Sequence, residues 1–249
     1  MGQDSASLKE AAARRAVEFI ESGMKVGLGT GSTAAFIVQE VASRLKDGRL
    51  SDLQCVPTSE RTESLARELG VPVTTLNETP VLDISLDGAD EVTPEFYLIK
   101  GAGGALLREK IVAAASRRRI IVVDESKRVA RLGEKAALPV EVSPFGWMTH
   151  LPFLAGLGAT PTLRTAPDGS PFLTDGGHYI LDCRFSGPFD PYDVQRQLEG
   201  RAGIVDHGLF LDYTEVVVVG RAGSDSMQDA LGSPESCVIE ILMKGLEKK

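Results

Sequence analysis

Two aspartates, Asp87 and Asp90, bracket a Gly88-Ala89 pair in "SLDGADEV", residues 85–92, with Glu91 directly after. An apolar run leads into them, so a chain leaving a buried strand gathers carboxylates where its backbone is most exposed. Ionised carboxylates accept hydrogen bonds from sugar hydroxyls and exchange protons with them. Asp and Gly are also common turn residues, and taken alone the stretch reads more readily as a polar turn. In "KGAGGALLREK", residues 100–110, Lys100 closes a strand, and a turn through Gly101, Ala102 and Gly103 leads into a helix carrying Glu109. A carboxylate beside a carbon acid can shuttle a proton, and a lysine can stabilise the enolate oxygen that develops. By themselves, Glu109 and Lys110 read as the solvated face of a helix.

Two further stretches suit an anion. "GLGTGST", residues 27–33, joins a strand to a helix. Gly29 and Gly31 let the backbone turn sharply enough to aim amide groups at one point, and the helix that follows adds its free N–H groups and dipole. Thr30, Ser32 and Thr33 bring hydroxyls. Ser32 stands where a dinucleotide fingerprint needs its third glycine, and no Walker lysine follows, so a phosphate cradle without a nucleotide fits better. The competing reading is a tight turn with a Ser/Thr cap. Lys127, in "VVDESKRVA", lies just past a strand end and can neutralise a phosphate as a point charge, although alone it reads as a surface lysine. His150, His178 and His207 show no metal-ligand spacing, and no G-x-S-x-G elbow is present. Together the stretches suggest proton transfer next to a carbonyl on a small phosphorylated polyol, with no cofactor.

Positioning these loops requires strands that end side by side. Helical spacing predicts helices over 7–23, 33–48, 60–70 and 103–117, and apolar runs predict strands over 24–28, 52–59, 71–76, 81–86 and 119–124. Such alternation argues for parallel βαβ units, and hence an open, Rossmann-like, mostly parallel α/β sheet flanked by helices. Ligands of such sheets bind beyond the carboxyl ends of the strands, where all four stretches lie. From residue 132 the rhythm changes to a strand at 137–142, a helix at 144–158, two strands around a turn at Pro167–Gly169 and a helix at 190–203. That order matches the split βαβ of ferredoxin-like modules. The apolar run 214–220 then returns to the first sheet. The expected organisation is a Rossmann-like domain of residues 1–131 plus 208–249 with a smaller α+β domain, 132–207, inserted.

The chain has 249 residues, 43% hydrophobic and 25% charged, enough to build a real core. A net charge of −8 argues against nucleic acid as a partner. Cys55, Cys183 and Cys237 show no pairing pattern, and no leader or membrane-spanning run is visible, which reads as a soluble cytoplasmic protein.

In this order and spacing, "GLGTGST", "DISLDGADEV", "LIKGAGGALLREK" and "VVDESK" closely resemble the signature segments of the ribose-5-phosphate isomerase A family. The similarity continues through "TDGGHYILDCRF" and "AGIVDHGLF", so it covers nearly the whole chain. The resemblance implies interconversion of ribose 5-phosphate and ribulose 5-phosphate in the non-oxidative pentose phosphate pathway, without a cofactor, by a homodimer or a dimer of dimers. It places the catalytic base on Glu109, acting between C1 and C2 through a cis-enediolate. Lys100 would stabilise the enediolate oxygen. Asp87 and Asp90 would bind hydroxyls and assist ring opening. The Thr30–Thr33 loop, the Gly88, Ala89 and Gly101–Gly103 backbone, Lys127 and Lys9 would bind substrate. Three features depart from the family's usual pattern: Ala102 replaces a glycine, Gly176 and His178 alter its "TDNGNY" segment, and the tail after Gly220 runs past its usual ending. Other readings are an amino-sugar phosphate deaminase, a sugar-phosphate sensor without turnover and a nucleotide-binding regulatory domain. The deaminase is expected to bring a histidine near the acids, the sensor a helix-turn-helix segment and the nucleotide domain a third glycine, and the chain shows none of these.

Overall fold

The computed structural model describes residues 2–223 and 237–244. In chain order its first half runs α1 (Gly2–Val17), β1 (Lys25–Leu28), α2 (Ser32–Lys46), β2 (Gln54–Pro57), α3 (Glu60–Glu68) and β3 (Leu82–Asp87). Two short strands, β4 (Glu91–Val92) and β5 (Leu98–Ile99), precede α4 (Leu106–Ala115) and the long β6 (Ser116–Asp124). Next come β7 (Leu138–Val142), α5 (His150–Gly156), β8 (Ala159–Leu163), β9 (Tyr179–Phe185), α6 (Pro191–Glu199) and β10 (Ile204–His207). The chain then passes through β11 (Leu209–Phe210), β12 (Val216–Ala222) and β13 (Cys237–Met243).

The principal sheet has the order β13-β12-β6-β3-β1-β2. Its pairs are parallel except β12 with β13 at one edge. Both faces are covered, which is why β12 is a continuous apolar run rather than an alternating one. Val216 and Val218 face a core built with Ala12, Ala16, Ile37, Val38 and Val41 of α1 and α2. Val217 and Val219 face the opposite side, against Val92, Leu98 and Phe210. Those three belong to a small antiparallel sheet, β11-β5-β4. Four more strands form a separate antiparallel sheet in the order β10-β7-β9-β8, which with α5 and α6 reproduces the ferredoxin-like arrangement. Among the described residues no helix is long and apolar enough to cross a membrane.

Several sequence-based expectations change. Residues 71–76 make only a single bridge, Val73 to Cys55, because Pro72 has no N–H to continue a ladder. The helix expected over 144–158 breaks at Gly146, whose left-handed φ of 69° forces a 3₁₀ turn at Trp147–Thr149 before α5 begins. Of the two strands expected around Pro167–Gly169, β8 ends before the turn, and the next strand starts only at Tyr179. Residues 164–178 instead reach the Gly101 loop, α3 and α4. Part of the tail after Gly220 forms β13, and residues 224–236 and 245–249 lie outside the described residues.

Ile37 is fully buried on α2 between the two leading helices and the sheet, whereas Ile111 on α4 is 48% exposed. Ile37→Ala is therefore expected to destabilise the fold by about 2–5 kcal/mol in chemical denaturation followed by circular dichroism, while Ile111→Ala changes it by about 0.5 kcal/mol or less.

Candidate active site

The carboxyl ends of β1, β3, β5 and β6 converge on a cavity of about 210 Å³. Its walls are Thr30–Thr33, Gly88–Asp90, Lys100–Gly103, Glu109, Lys9 and Lys127. Every sequence-predicted site residue except Asp87 is on that wall. The cavity opens where the strand order reverses, since the chain leaves β1 toward β2 and then returns to β3 on the other side.

The mouth of the cavity is built for an anion. The helix α2 starts at Ser32 with Gly31 as its N-cap, and among the described residues no side chain caps it. Its first amide donors are thus left for a ligand. The capped-turn reading of "GLGTGST" does not hold. Lys9 reaches across from α1, its Nζ 3.3 Å from Ser32 Oγ and 3.8 Å from Asp124 Oδ2. Asp124, the last residue of β6, accepts the Ser126 N–H at 2.9 Å and so shapes the 3₁₀ turn that carries Lys127. Thr30 Oγ1 sits among the hydroxyls of Thr58, Ser59 and Thr62, at 2.8, 2.8 and 3.3 Å. Sequence reading missed Asp124 and this hydroxyl cluster; the available signal was that Asp124 ends β6 and that Thr58 and Ser59 directly follow β2.

The floor is buried and charged. Lys100 is 3% exposed, yet its Nζ lies 3.0 Å from Asp87 Oδ2 and 3.4 Å from Glu109 Oε1. It also donates to Gly88 O at 2.5 Å. Asp87 Oδ1 accepts the N–H groups of Gly88 and Thr30 at 2.7 and 3.1 Å. Asp87 is thus off the cavity wall, with Oδ2 on the lysine and Oδ1 on backbone amides. Its place depends on Gly29, where a Cβ would fall 1.9 Å from Asp87 Oδ1. Asp90 is half-buried on the wall, with Oδ2 accepting the Ala102 N–H at 2.8 Å. Positive φ in this loop falls on Gly101 and Gly104, not on Ala102, so the methyl group there is unstrained.

Glu109 sits in the first turn of α4 and is 5% exposed, not on a solvated face. Lys110 is also largely buried, with Nζ 2.5 Å from Asp206 Oδ1 and 2.6 Å from His207 O. Burial pushes the Glu109 carboxyl up to about 8; Lys100 draws it down only in part, and Asp87 and Asp90 add to the rise. Burial pulls the Lys100 ammonium down, but Asp87 and Glu109 outweigh it and hold the lysine protonated, above its ordinary value. Among the described residues Glu109 Oε2 is buried without a hydrogen-bond partner. Burial raises the Asp87 carboxyl too, opposed by Lys100 and by the Gly88 and Thr30 amides. A carboxylate with a raised pKa and a free oxygen, facing a cavity beside a fixed cation, is suited to taking a proton from carbon. The described residues contain no group of three or more metal ligands, and His150, His178 and His207 all lie off the cavity wall.

Residues 54–224 match the sequence profile of a family described as ribose 5-phosphate isomerase A (phosphoriboisomerase A). A ribose-5-phosphate isomerase A of Roseiflexus castenholzii is 50% identical over 216 residues, 87% of this chain and 92% of that protein. The solved ribose 5-phosphate isomerase of Plasmodium falciparum superposes with a TM-score of 0.87 at 37% identity, over 96% of this chain and 99% of that one. A D-ribose-5-phosphate isomerase in complex with phospho-erythronic acid gives 0.88 at 35% identity, over 96% and 99%.

Since an added methyl at position 29 meets the Asp87 carboxylate, Gly29→Ala is expected to lose about 1–3 kcal/mol of stability in denaturant titrations. A crystal structure of the variant should show Asp87 displaced from the Thr30 and Gly88 amides.

Proposed function

The chain belongs to the ribose 5-phosphate isomerase A family, and we propose that it interconverts ribose 5-phosphate and ribulose 5-phosphate with Glu109 as the base. The observation that carries this assignment is the unpartnered Glu109 Oε2, buried beside Lys100 on the cavity floor. The phosphate sits at the mouth, against the first amides of α2, Lys9 and Lys127. The open-chain carbonyl then points to the floor. Glu109 takes the proton from C2, the electron pair forms the C1=C2 bond, and the carbonyl oxygen becomes an enediolate oxygen facing Lys100. The O2 proton passes to O1, the C2 carbonyl forms, and Glu109 returns its proton to C1. No electron leaves the substrate and no external group is consumed. Asp90, on the wall, meets the hydroxyls and assists ring opening. Asp87 acts through Lys100 as a positioning residue.

A binding module without turnover has no use for a cavity carboxyl whose proton affinity is raised to about 8 beside a fixed cation, as that of Glu109 is beside Lys100. The same reading takes the chain as a cytoplasmic homo-oligomer acting on a small phosphosugar rather than on nucleic acid, in keeping with its charge of −8.

Glu109→Gln keeps the shape of the site and removes the base. It is expected to lower kcat by about 10³-fold or more, with KM for ribose 5-phosphate within about threefold, in a ketopentose assay. A variant with near-wild-type kcat would move the base elsewhere. In the wild type, only ionised Glu109 accepts the proton, and its pKa is raised to about 8. Activity is thus expected to climb through neutral pH and level off above about 8. A kcat/KM already flat from pH 6 would contradict that state of the free enzyme.

A further inference from the structure

We propose that Arg164, which lies outside the cavity on the segment following β8, is a positioning residue that holds the Gly101–Gly103 wall in its substrate-binding orientation. The inference rests on the isomerase reading above. Arg164 Nη1 donates to Gly101 O at 2.9 Å and to Ala102 O at 3.1 Å. In a trans peptide the C=O and N–H point in opposite directions. Holding these two carbonyls outward therefore turns the Ala102 and Gly103 N–H groups the other way. The Ala102 N–H is found where this requires, on Asp90 Oδ2 at 2.8 Å. The Gly103 N–H has no protein acceptor among the described residues, and Gly103 lines the cavity. One guanidinium thus sets two consecutive peptide planes, orienting one carboxylate and one free donor toward the sugar.

The guanidinium is itself held firmly. Its Nε and Nη2 form a two-pronged pair with Asp182 on β9, at 2.9 and 2.5 Å. The planar fork meets a carboxylate and two carbonyls at once, which a lysine cannot do. Phe172 lies 5.9 Å beneath it and packs against Gly104, where a Cβ would fall 2.5 Å from the ring. Farther along the same segment, Asp175 Oδ2 accepts the Glu60 N–H at 2.8 Å and pairs with Arg108 at 3.2 Å, so the arm also grips α3 and α4. Arg164 makes the part of this clasp that touches the substrate-facing backbone.

The test measures kcat and KM for ribose 5-phosphate, inhibition by phospho-erythronic acid and thermal unfolding, for wild type, Arg164→Ala, Arg164→Lys and Asp182→Asn. Arg164→Ala is expected to raise KM and weaken the inhibitor about tenfold, and to lower kcat about tenfold, through misplaced peptides rather than a lost reactive group. Because Glu109 is untouched, the pH at which activity levels off should stay where it is in the wild type. Arg164→Lys should recover part of the loss by serving one carbonyl. Wild-type kcat, KM and inhibition in Arg164→Ala, whatever its melting temperature, would overturn the proposal while leaving the isomerase reading intact. An inactive wild type would overturn that reading and this inference with it. If Arg164→Ala does not fold, Asp182→Asn decides: a threefold to tenfold loss of kcat/KM, about what a loosened fork should give, supports the proposal, and an unchanged value overturns it.

Discussion

The site depends on one buried ammonium. Lys100 Nζ lies within 3.4 Å of two carboxylates, Asp87 and Glu109, with almost no access to water. Such burial is not a device for stability, because the desolvation of paired ions generally consumes what their attraction returns. Its effect is on proton affinity. One cation cannot fully compensate two carboxylates in a dry pocket, so one carboxyl is driven toward its neutral form. Asp87, at the end of β3, has two amide donors as well as the lysine, and Glu109 has an oxygen with none. The asymmetry makes Glu109 the group whose proton affinity approaches neutrality, and it leaves Lys100 charged to meet an oxyanion.

The fold has to deliver three charges to one point and satisfy them without solvent. Asp87 comes from the end of the parallel strand β3, Lys100 follows β5 of the small antiparallel sheet, and Glu109 rides on α4. The backbone then supplies what side chains cannot: Thr30 N–H after β1 and Gly88 N–H after β3 reach the same Asp87 oxygen. Gly29 leaves the room in which that carboxylate sits. The second sheet adds a buttress, since Arg164 and Asp175 tie the segment after β8 to the Gly101 loop and to α3 and α4. The catalytic edge of one sheet is thus stiffened by a unit that contributes no reacting atom.

Much of this was legible in the sequence where periodicity is strong. The unbroken valines of β12 announced a doubly covered strand, and the 3.6-residue spacing of α2 and α4 announced the helices that start at the two glycine loops. The small β4-β5-β11 sheet was invisible, because two-residue strands carry no period and form only when the loops around them pack. The burial of Glu109 was equally hidden. A Glu-Lys pair on a helix normally marks a solvated face, and nothing local says that Lys100, Asp206 and His207 will close over it. The stretch 71–76 misled in the opposite sense, since its β-branched residues suit a strand but Pro72 interrupts the ladder they would make.

The aspartates at the strand ends show most clearly what composition alone misses. Asp87 ends β3 and Asp124 ends its neighbour β6, and both strands run parallel in the sheet. Each caps the turn that follows it, Asp87 through the Gly88 N–H and Asp124 through the Ser126 N–H. Each is also buried beside a lysine of the cavity, Asp87 beside Lys100 and Asp124 beside Lys9. The two strand ends therefore repeat one device: a carboxylate held by backbone amides that fixes a cation on the cavity side. The repetition fixes where each ammonium stands, so that a chain of net charge −8 keeps both cations on the cavity wall. The acids in "SLDGADEV" and "VVDESK" divide by depth. The half-buried Asp90 is on the cavity wall, whereas Asp87 and Asp124 are paired with Lys100 and Lys9.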